Sequence, residues 1–300
     1  MKKSTIISAG GLGNQMFQYA FFLAKKKRSP KMSISFFVPS REIKHNGYEL
    51  GNLFGLFSED KDLLATFIRK LLIFEKRSFY RPLCSLLLSI LKLLGITIVR
   101  EEGYSIYREE YLKVQSKRAF YFGYWQSPCY FEAIENEVRS AFSFDYSRLS
   151  DKSRGLLETI RSQESVSVHI RRGDFLSVDN QSLYVNLNDT LYYVKSVDWM
   201  KEHLNSPHFY IFSDDPQWVK KHLQIDNATY IDWNRGETSW EDMCLMSECK
   251  HNIIANSTFS WWAAWLNRYE KKQVLVPKCF LRNRETPNIY PADWLQIDFS

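Results

Sequence analysis

Three short polar clusters in this 300-residue chain combine residue types that can handle a phosphorylated leaving group. The first is His169-Ile170-Arg171-Arg172-Gly173-Asp174. Two adjacent guanidiniums suit a diphosphate, because each planar fork can donate two parallel hydrogen bonds to anionic oxygens. Gly173 lets the backbone turn sharply and lets a ligand come close. Asp174 can orient an arginine or accept a proton. The second cluster, Ser213-Asp214-Asp215-Pro216, has three uses open to it: holding a metal with help from phosphate oxygens, accepting hydrogen bonds from a guanine edge, or capping a helix that starts at Pro216. The third, Asn256-Ser257-Thr258-Phe259-Ser260, opens a helix with hydroxyls and unsatisfied backbone N–H groups, which favour an anion. A sugar-nucleotide donor needs this chemistry. As its sugar–oxygen bond breaks, the negative charge left on the diphosphate must be neutralised by a metal or by cations and helix N-termini.

These clusters follow apolar β-rich runs, which places them at strand ends. Ser165–Ile170, His208–Phe212, Thr229–Ile231, His251–Ala255 and Gln273–Val276 read as strands. Asp189–His203, Pro216–His222, Ser239–Ser247 and Phe259–Arg268 read as helices between them. Strands alternating with helices imply βαβ units and a parallel sheet, and such sheets bind ligands at the carboxyl ends of their strands. All three clusters sit at such ends. The amino-terminal half opens the same way, with strand Thr5–Ala9, a loop at Gly10-Gly11-Leu12-Gly13-Asn14, helix Gln15–Lys27 and strand Ser33–Val38. The loop lacks the full dinucleotide fingerprint, and residues 29–38 contain no acidic residue to hold a ribose, which excludes a dehydrogenase. Its use lies in backbone N–H groups, with Gly11, Gly13 and Asn14 as contacts to the donor. Ala119–Trp125 reads as a strand and Tyr130–Phe142 as a helix. The polar stretch Asp145–Arg154 places the domain change at 148–149, giving domains 1–148 and 149–300.

Residues 61–99 differ from the rest of the first half. Leucine-rich runs interspersed with Arg69, Lys70, Lys76, Arg77, Arg81 and Lys92 predict two amphipathic helices, packed on the domain core or lying on an anionic membrane. Lys92 interrupts the apolar stretch Leu83–Val99, which argues against a spanning helix. Residues 1–150 carry a net charge of +9 and residues 151–300 a net charge of −3. That excess suits a membrane leaflet or a phosphorylated ligand; no nucleic-acid-binding motif accompanies it. Five cysteines without metal-type spacing argue against a disulfide framework and a zinc site and fit a reducing cytoplasm. The short apolar run after Lys2-Lys3 is no signal-peptide core, so the expected location is cytoplasmic, with peripheral contact at the inner face of the plasma membrane. Trp261, Trp262 and Trp265 read as core.

Taken together, Gly10-Gly11-Leu12-Gly13-Asn14-Gln15-Met16-Phe17-Gln18-Tyr19-Ala20, His169-Ile170-Arg171-Arg172-Gly173-Asp174-Phe175, Phe212-Ser213-Asp214-Asp215, Glu241-Asp242-Met243 and the run His251–Asn267 resemble the bacterial α1,2-fucosyltransferase family, glycosyltransferase family 11. The resemblance covers most of the chain and says little about residues 40–120. It implies an α/β glycosyltransferase-B fold with two facing Rossmann-like domains. It also implies inverting transfer of L-fucose from GDP-fucose to the 2-hydroxyl of a galactose in an oligosaccharide or surface-polysaccharide precursor, with no metal and no cofactor. On that match Arg171 binds the β-phosphate and assists departure of GDP, with Arg172 in support. His169 and Asp215 are the guanosine-side candidates, with Asp214 beside them, and Asn256, Ser257, Thr258 and Ser260 the phosphate-side ones. Asp174 is the candidate general base. Phe175 stands where many relatives have Tyr. Another nucleotide-sugar transferase, another fucose linkage and a non-catalytic glycan-binding protein are the competing readings.

Overall fold

The computed structural model describes residues 2–39, 46–58, 61–173 and 182–299. It divides into two compact units, Met1–Ser143 with Pro287–Ile289, and Phe144–Thr286 with Tyr290–Ser300. The sequence places the change at 148–149, but Phe144 already stacks on Trp240 and the Tyr146 hydroxyl donates to Glu248, so those aromatic residues pack in the second unit.

In the first unit, strand β1 (Lys3–Ile7) leads to helix α1 (Leu12–Arg28) and strand β2 (Ser33–Phe37). Helices α2 (Leu50–Phe54), α3 (Leu63–Phe74) and α4 (Arg81–Leu93) follow, then strand β3 (Ile96–Arg100), helix α5 (Glu109–Lys113), strand β4 (Arg118–Phe122) and helix α6 (Glu135–Ala141). The strands pair in parallel in the order β2-β1-β4-β3. Two differences from the sequence reading stand out. The apolar stretch 83–99 is split, because Gly95 takes a left-handed conformation (φ +78°) that ends the helix and lets β-branched Ile96, Thr97, Ile98 and Val99 pair with β4. Residues 130–142 become helical only from Glu135, after two 3₁₀ turns. On one side of the sheet, Ile7, Phe37 and Phe120 pack against Ala65, Ile68, Leu72 and Leu91 of α3 and α4. Elsewhere in the unit, Phe21 of α1 stacks on the fully buried Trp125 at 4.4 Å, a contact worth about 1 kcal/mol beyond its buried area.

The second unit begins with helix α7 (Asp151–Ser162), capped by the Ser150 hydroxyl, in a region too polar to show its 3.6-residue period clearly. Strand β5 (Ser165–Ile170), helix α8 (Tyr192–His203), strand β6 (His208–Ser213), helix α9 (Pro216–His222), strand β7 (Ala228–Ile231), helix α10 (Trp240–Glu248), strand β8 (His251–Ile253), helix α11 (Thr258–Leu266) and strand β9 (Val274–Pro277) follow. A final strand β10 (Leu295–Ile297), which the sequence does not signal, closes the sheet. All pairings are parallel, in the order β7-β6-β5-β8-β9-β10. Central β5 is buried along its whole length, as a strand covered on both faces must be. Its two buried serines are satisfied: Ser165 accepts from the Lys250 amide and Ser167 from the Asn252 side chain. The strand order reverses between β5 and β8, and that is the position where doubly wound sheets bind nucleotides.

Candidate functional site

Strands β5 and β8 pair through Val168 and Ile253, so their carboxyl ends, which carry Arg171 and Asn256, emerge side by side at the reversal point. The β5 end is held on all sides. Its His169 carbonyl accepts from the Tyr193 hydroxyl at 3.1 Å, and its Arg171 carbonyl from the Asn188 amide at 3.1 Å. The His169 ring approaches Phe259, in the first turn of α11, with centroids 5.8 Å apart. The first and third clusters of the sequence reading therefore meet.

The second cluster joins them through its carboxylates. Asp214 accepts from the backbone N–H of Arg172 at 2.9 Å and of Gly173 at 3.0 Å, and it pairs with the Arg171 guanidinium at 3.0 Å. A Cβ on Gly173 would lie 2.9 Å from the same carboxylate, so this close approach requires glycine. Asp215 divides its oxygens. One caps α9 by accepting from the Trp218 amide, and the other accepts from Arg172 Nε at 3.0 Å. The Arg172 guanidinium then lies 4.1 Å from the centre of the Trp218 ring. Both arginines remain about a quarter exposed. Of the three uses the sequence leaves open for the acidic pair, the cap is present at Asp215. Both carboxylates are engaged by the arginine turn, which the sequence reading did not foresee. Each charge-assisted hydrogen bond of this kind contributes about 1.5–3 kcal/mol where it is shielded from water.

His169 is buried, and burial together with the nearby Arg171 charge pushes its imidazole down to about 3. The ring is therefore neutral at physiological pH and adds no charge beside the guanidiniums. Its Nδ1 is buried and meets no partner among the described residues. Asp174 and Phe175 lie outside the described residues.

At the β8 end, Asn256 is turned inward. Its amide donates to the carbonyls of Val185 and Phe280, which anchors the loop. Ser257 caps α11 through the Phe259 amide; Ser257 and Thr258 are partly exposed, whereas Ser260 is buried and donates to the Ser257 carbonyl. The nine-residue helix behind them is anchored by a buried cluster of Trp261, Trp262, Trp265 and Trp294, which confirms those residues as core.

In the first unit, helix α1 starts at Leu12, three residues earlier than the sequence suggests. Gly11 is its N-cap, and Gly13 and Asn14 belong to its first turn. Gly10 has φ +85°, and a Cβ there would meet the Asn14 side chain at 2.6 Å. Two buried glutamines strap this loop. Gln15 donates to the carbonyls of Gly10 and Gly47, and Gln18 accepts from Ala9 N–H and Ser8 Oγ while donating to Gly123. Asn14 accepts from Gln126 at 2.8 Å.

Sequence reasoning missed several residues. Asn188 and Tyr193 hold the arginine turn through its carbonyls, and nothing in their local sequence signals it. Glu101, just past β3, accepts from the amides of Tyr124 at 2.6 Å and Trp125 at 3.0 Å. A Cβ on Gly123 would fall 2.5 Å from the Glu101 Cβ. Burial raises the Glu101 carboxyl above its ordinary range, against the amides that lower it. Asp242, one of the residues carrying the family resemblance, receives a 2.7 Å hydrogen bond from Asn234, and burial raises it to about 7. Among the described residues no group of three or more His, Cys, Asp or Glu side chains is arranged to hold a metal ion, and all five cysteines are free.

Comparison with known proteins adds to this geometry. The family model described as Glycosyl transferase family 11 matches residues 3–298. The chain is 32% identical to the Alpha-1,2-colitosyltransferase of Escherichia coli, with 97% of each chain covered. It is 29% identical to the O-antigen biosynthesis glycosyltransferase WbnK of Escherichia coli, covering 96% of this chain and 98% of that one. Human galactoside alpha-(1,2)-fucosyltransferase 1 is 26% identical over 55% of this chain and 46% of its own length. Among solved structures, a variant of Arabidopsis thaliana FUT1 in complex with GDP superposes with a TM-score of 0.50 at 13% identity, covering 97% of this chain and 75% of that one. The shared architecture is the glycosyltransferase-B fold with two Rossmann-like domains.

Proposed function

The chain belongs to glycosyl transferase family 11, and from that premise we propose that it transfers L-fucose from GDP-fucose to the 2-hydroxyl of a terminal galactose, with inversion and without a metal. Glycosyl transfer is the family's chemistry; the donor, the acceptor and the charge-handling mechanism are the proposal. The observation that carries it is the Arg171-Arg172-Gly173 turn, fixed by Asp214 at the reversal point of the sheet and beside the first turn of α11. A diphosphate bound there meets guanidiniums and helix N–H groups already oriented, so little reorganisation accompanies the build-up of charge.

In this reading Arg171 takes the β-phosphate, Arg172 supports it, and Ser257 and Thr258 hold the phosphates from the other side. Neutral His169 and the acidic pair face the guanosine end. Gly11, Gly13 and Asn14, at the start of α1, are the first unit's candidates for donor contact. The acceptor hydroxyl attacks the anomeric carbon opposite the departing phosphate; the carbon–oxygen bond to GDP breaks as the new glycosidic bond forms. The hydroxyl proton passes to a carboxylate, for which Asp174 is the candidate. WbnK's name places a similar chain in O-antigen biosynthesis, and a galactose-containing surface-polysaccharide precursor is the corresponding acceptor here.

One observation favours a second donor. The relative that matches this chain at 32% identity over nearly its whole length is named for colitosyl transfer. Colitose is fucose lacking one ring hydroxyl, and a site built to hydrogen-bond that hydroxyl rejects the analogue strongly. The deciding experiment follows GDP release with GDP-fucose and GDP-colitose on a galactoside acceptor, with the product linkage read by NMR. Faster turnover with GDP-fucose and an α1,2 product, undiminished by EDTA, supports the proposal. Preference for GDP-colitose selects the second reading. Loss of turnover in EDTA that Mg²⁺ or Mn²⁺ restores overturns the metal-free mechanism.

A further inference from the structure

The outer surface of α3 and α4 carries apolar side chains that stay exposed among the described residues. Among the described residues, eleven of the seventeen large apolar side chains exposed to solvent lie between Phe57 and Leu94. That concentration is far outside the scattered exposure normal for a soluble surface. On α4 the exposed Leu83, Leu86, Ile90 and Leu93 follow one another at intervals of three, four and three residues, so they form one stripe. A separate face of the same helix, with Cys84 and Leu91, packs on the core. Leu63 of α3 is 87% exposed, and Phe79, in the turn between the helices, 84%.

Charge singles out the occupant. Between residues 61 and 94 the chain has seven Lys or Arg against Asp62 and Glu75. Both acids are tied to basic residues outside this segment, Asp62 to Arg118 and Glu75 to Arg100. Lys61, Lys70, Lys76, Arg77, Arg81 and Lys92 are all exposed. Arg77 lies over the Phe74 ring, a cation placed directly beside exposed apolar surface. A second copy docking through the same stripe would bring two such cation sets together. An anionic bilayer complements both the apolar stripe and its basic flanks. No helix among the described residues is long and apolar enough to cross a membrane.

We propose that the α3–α4 hairpin is a monotopic docking surface for an anionic phospholipid bilayer, with Leu83, Leu86, Ile90, Leu93 and Phe79 entering the interface and Lys76, Arg77, Arg81 and Lys92 contacting the headgroups. The docked enzyme works at the membrane surface without spanning it. This goes beyond the donor assignment, and the two fail separately, because a GDP-induced rise in Tm reports the donor site in the absence of lipid.

The test is flotation of the full chain with vesicles of phosphatidylcholine alone, or with about a third phosphatidylglycerol, where each basic residue near the surface is worth about fivefold in partitioning. The wild type should float with anionic vesicles, stay behind with neutral ones, and be released by salt. Leu86→Glu/Ile90→Glu should lose flotation while keeping its GDP-induced rise in Tm. Arg77→Glu/Arg81→Glu, a change confined to exposed side chains, should lower partitioning at least about tenfold and keeps the test decisive if the apolar pair fails to fold. Absence of wild-type flotation, equal binding to neutral vesicles, or variants that float like the wild type would overturn the proposal. So would a wild-type dimer in sedimentation that the same substitutions convert to monomer, with no effect on flotation.

Discussion

Each unit fixes a loop at the carboxyl end of its sheet in the same way, and the two versions differ in one component. In the second unit, Asp214 reaches across from β6 to accept the amides of Arg172 and Gly173. In the first, Glu101 reaches across from β3 to accept the amides of Tyr124 and Trp125. Both carboxylates press on a glycine that has no room for a Cβ, Gly173 in one case and Gly123 in the other. The difference is the guanidinium. Asp214 also pairs with Arg171, and Arg172 beside it pairs with Asp215. Glu101 is held by amides, and its Oε1 is buried with no partner among the described residues. The shared part builds a rigid turn. In the proposed function, the added cations are what make one such turn a place for phosphate. The comparison separates scaffold from chemistry, and substitutions can be ranked by which of the two they remove.

The largest effect should come from Arg171→Ala. Removing one donor to a developing charge lowers turnover by about 10²–10³-fold, and saturation with GDP-fucose should not restore it. Near-normal kcat in that variant would mean that leaving-group stabilisation lies elsewhere. Next is Asp214→Ala, which deletes the clamp and leaves the arginines in place. With charge-assisted bonds worth about 1.5–3 kcal/mol each, GDP affinity measured by calorimetry should weaken by at least about tenfold, and Asp214→Asn should fall between the variant and the wild type. Unchanged affinity in Asp214→Ala would show that the turn holds its shape without the carboxylate. Glu101→Ala should act on stability instead. Two amides lose their acceptor, so unfolding free energy by denaturant titration should fall by about 1–3 kcal/mol with little change in GDP affinity. An equal loss of GDP binding would erase the proposed distinction between the clamps.

The smallest effect concerns pH. Burial raises the folded Glu101 carboxyl above its ordinary 4.5. The folded chain therefore keeps a proton that the unfolded chain gives up, and this contribution to stability declines as pH rises above 4.5. Glu101→Gln should flatten the fall in Tm over that range, and a steeper fall would reverse the sign assigned here.

Much of the second unit was legible because its strands are apolar runs ending abruptly in polar residues. Ser165–Ile170 and Pro216–His222 match their elements end to end. The placement of three clusters at strand ends followed from the same pattern, and the pairing β5–β8 explains why the first and third meet. The details of contact were not legible. Nothing local says that Asp214 accepts from a turn more than 40 residues earlier, that Asn256 points into the interior, or that Asn188 props the Arg171 carbonyl. These depend on register between distant strands. The first unit was harder to read for a physical reason. Leu83–Val99 is apolar but for a few scattered polar residues such as Lys92, so its pattern does not show where helix gives way to strand, and the break is made at Gly95. The same leucine-rich composition hid which leucines face the core and which face outward.

The position of Trp218 under the Arg172 guanidinium gives the site a built-in optical reporter. Of the nine tryptophans, six are nearly inaccessible, and the indole face of Trp218 lies against the Arg172 guanidinium. A ligand that draws Arg172 away changes the polarity and charge directly above that ring. The emission difference between the wild type and a Trp218→Phe protein should therefore follow occupancy of the doublet directly, without labelled nucleotide or coupled enzymes.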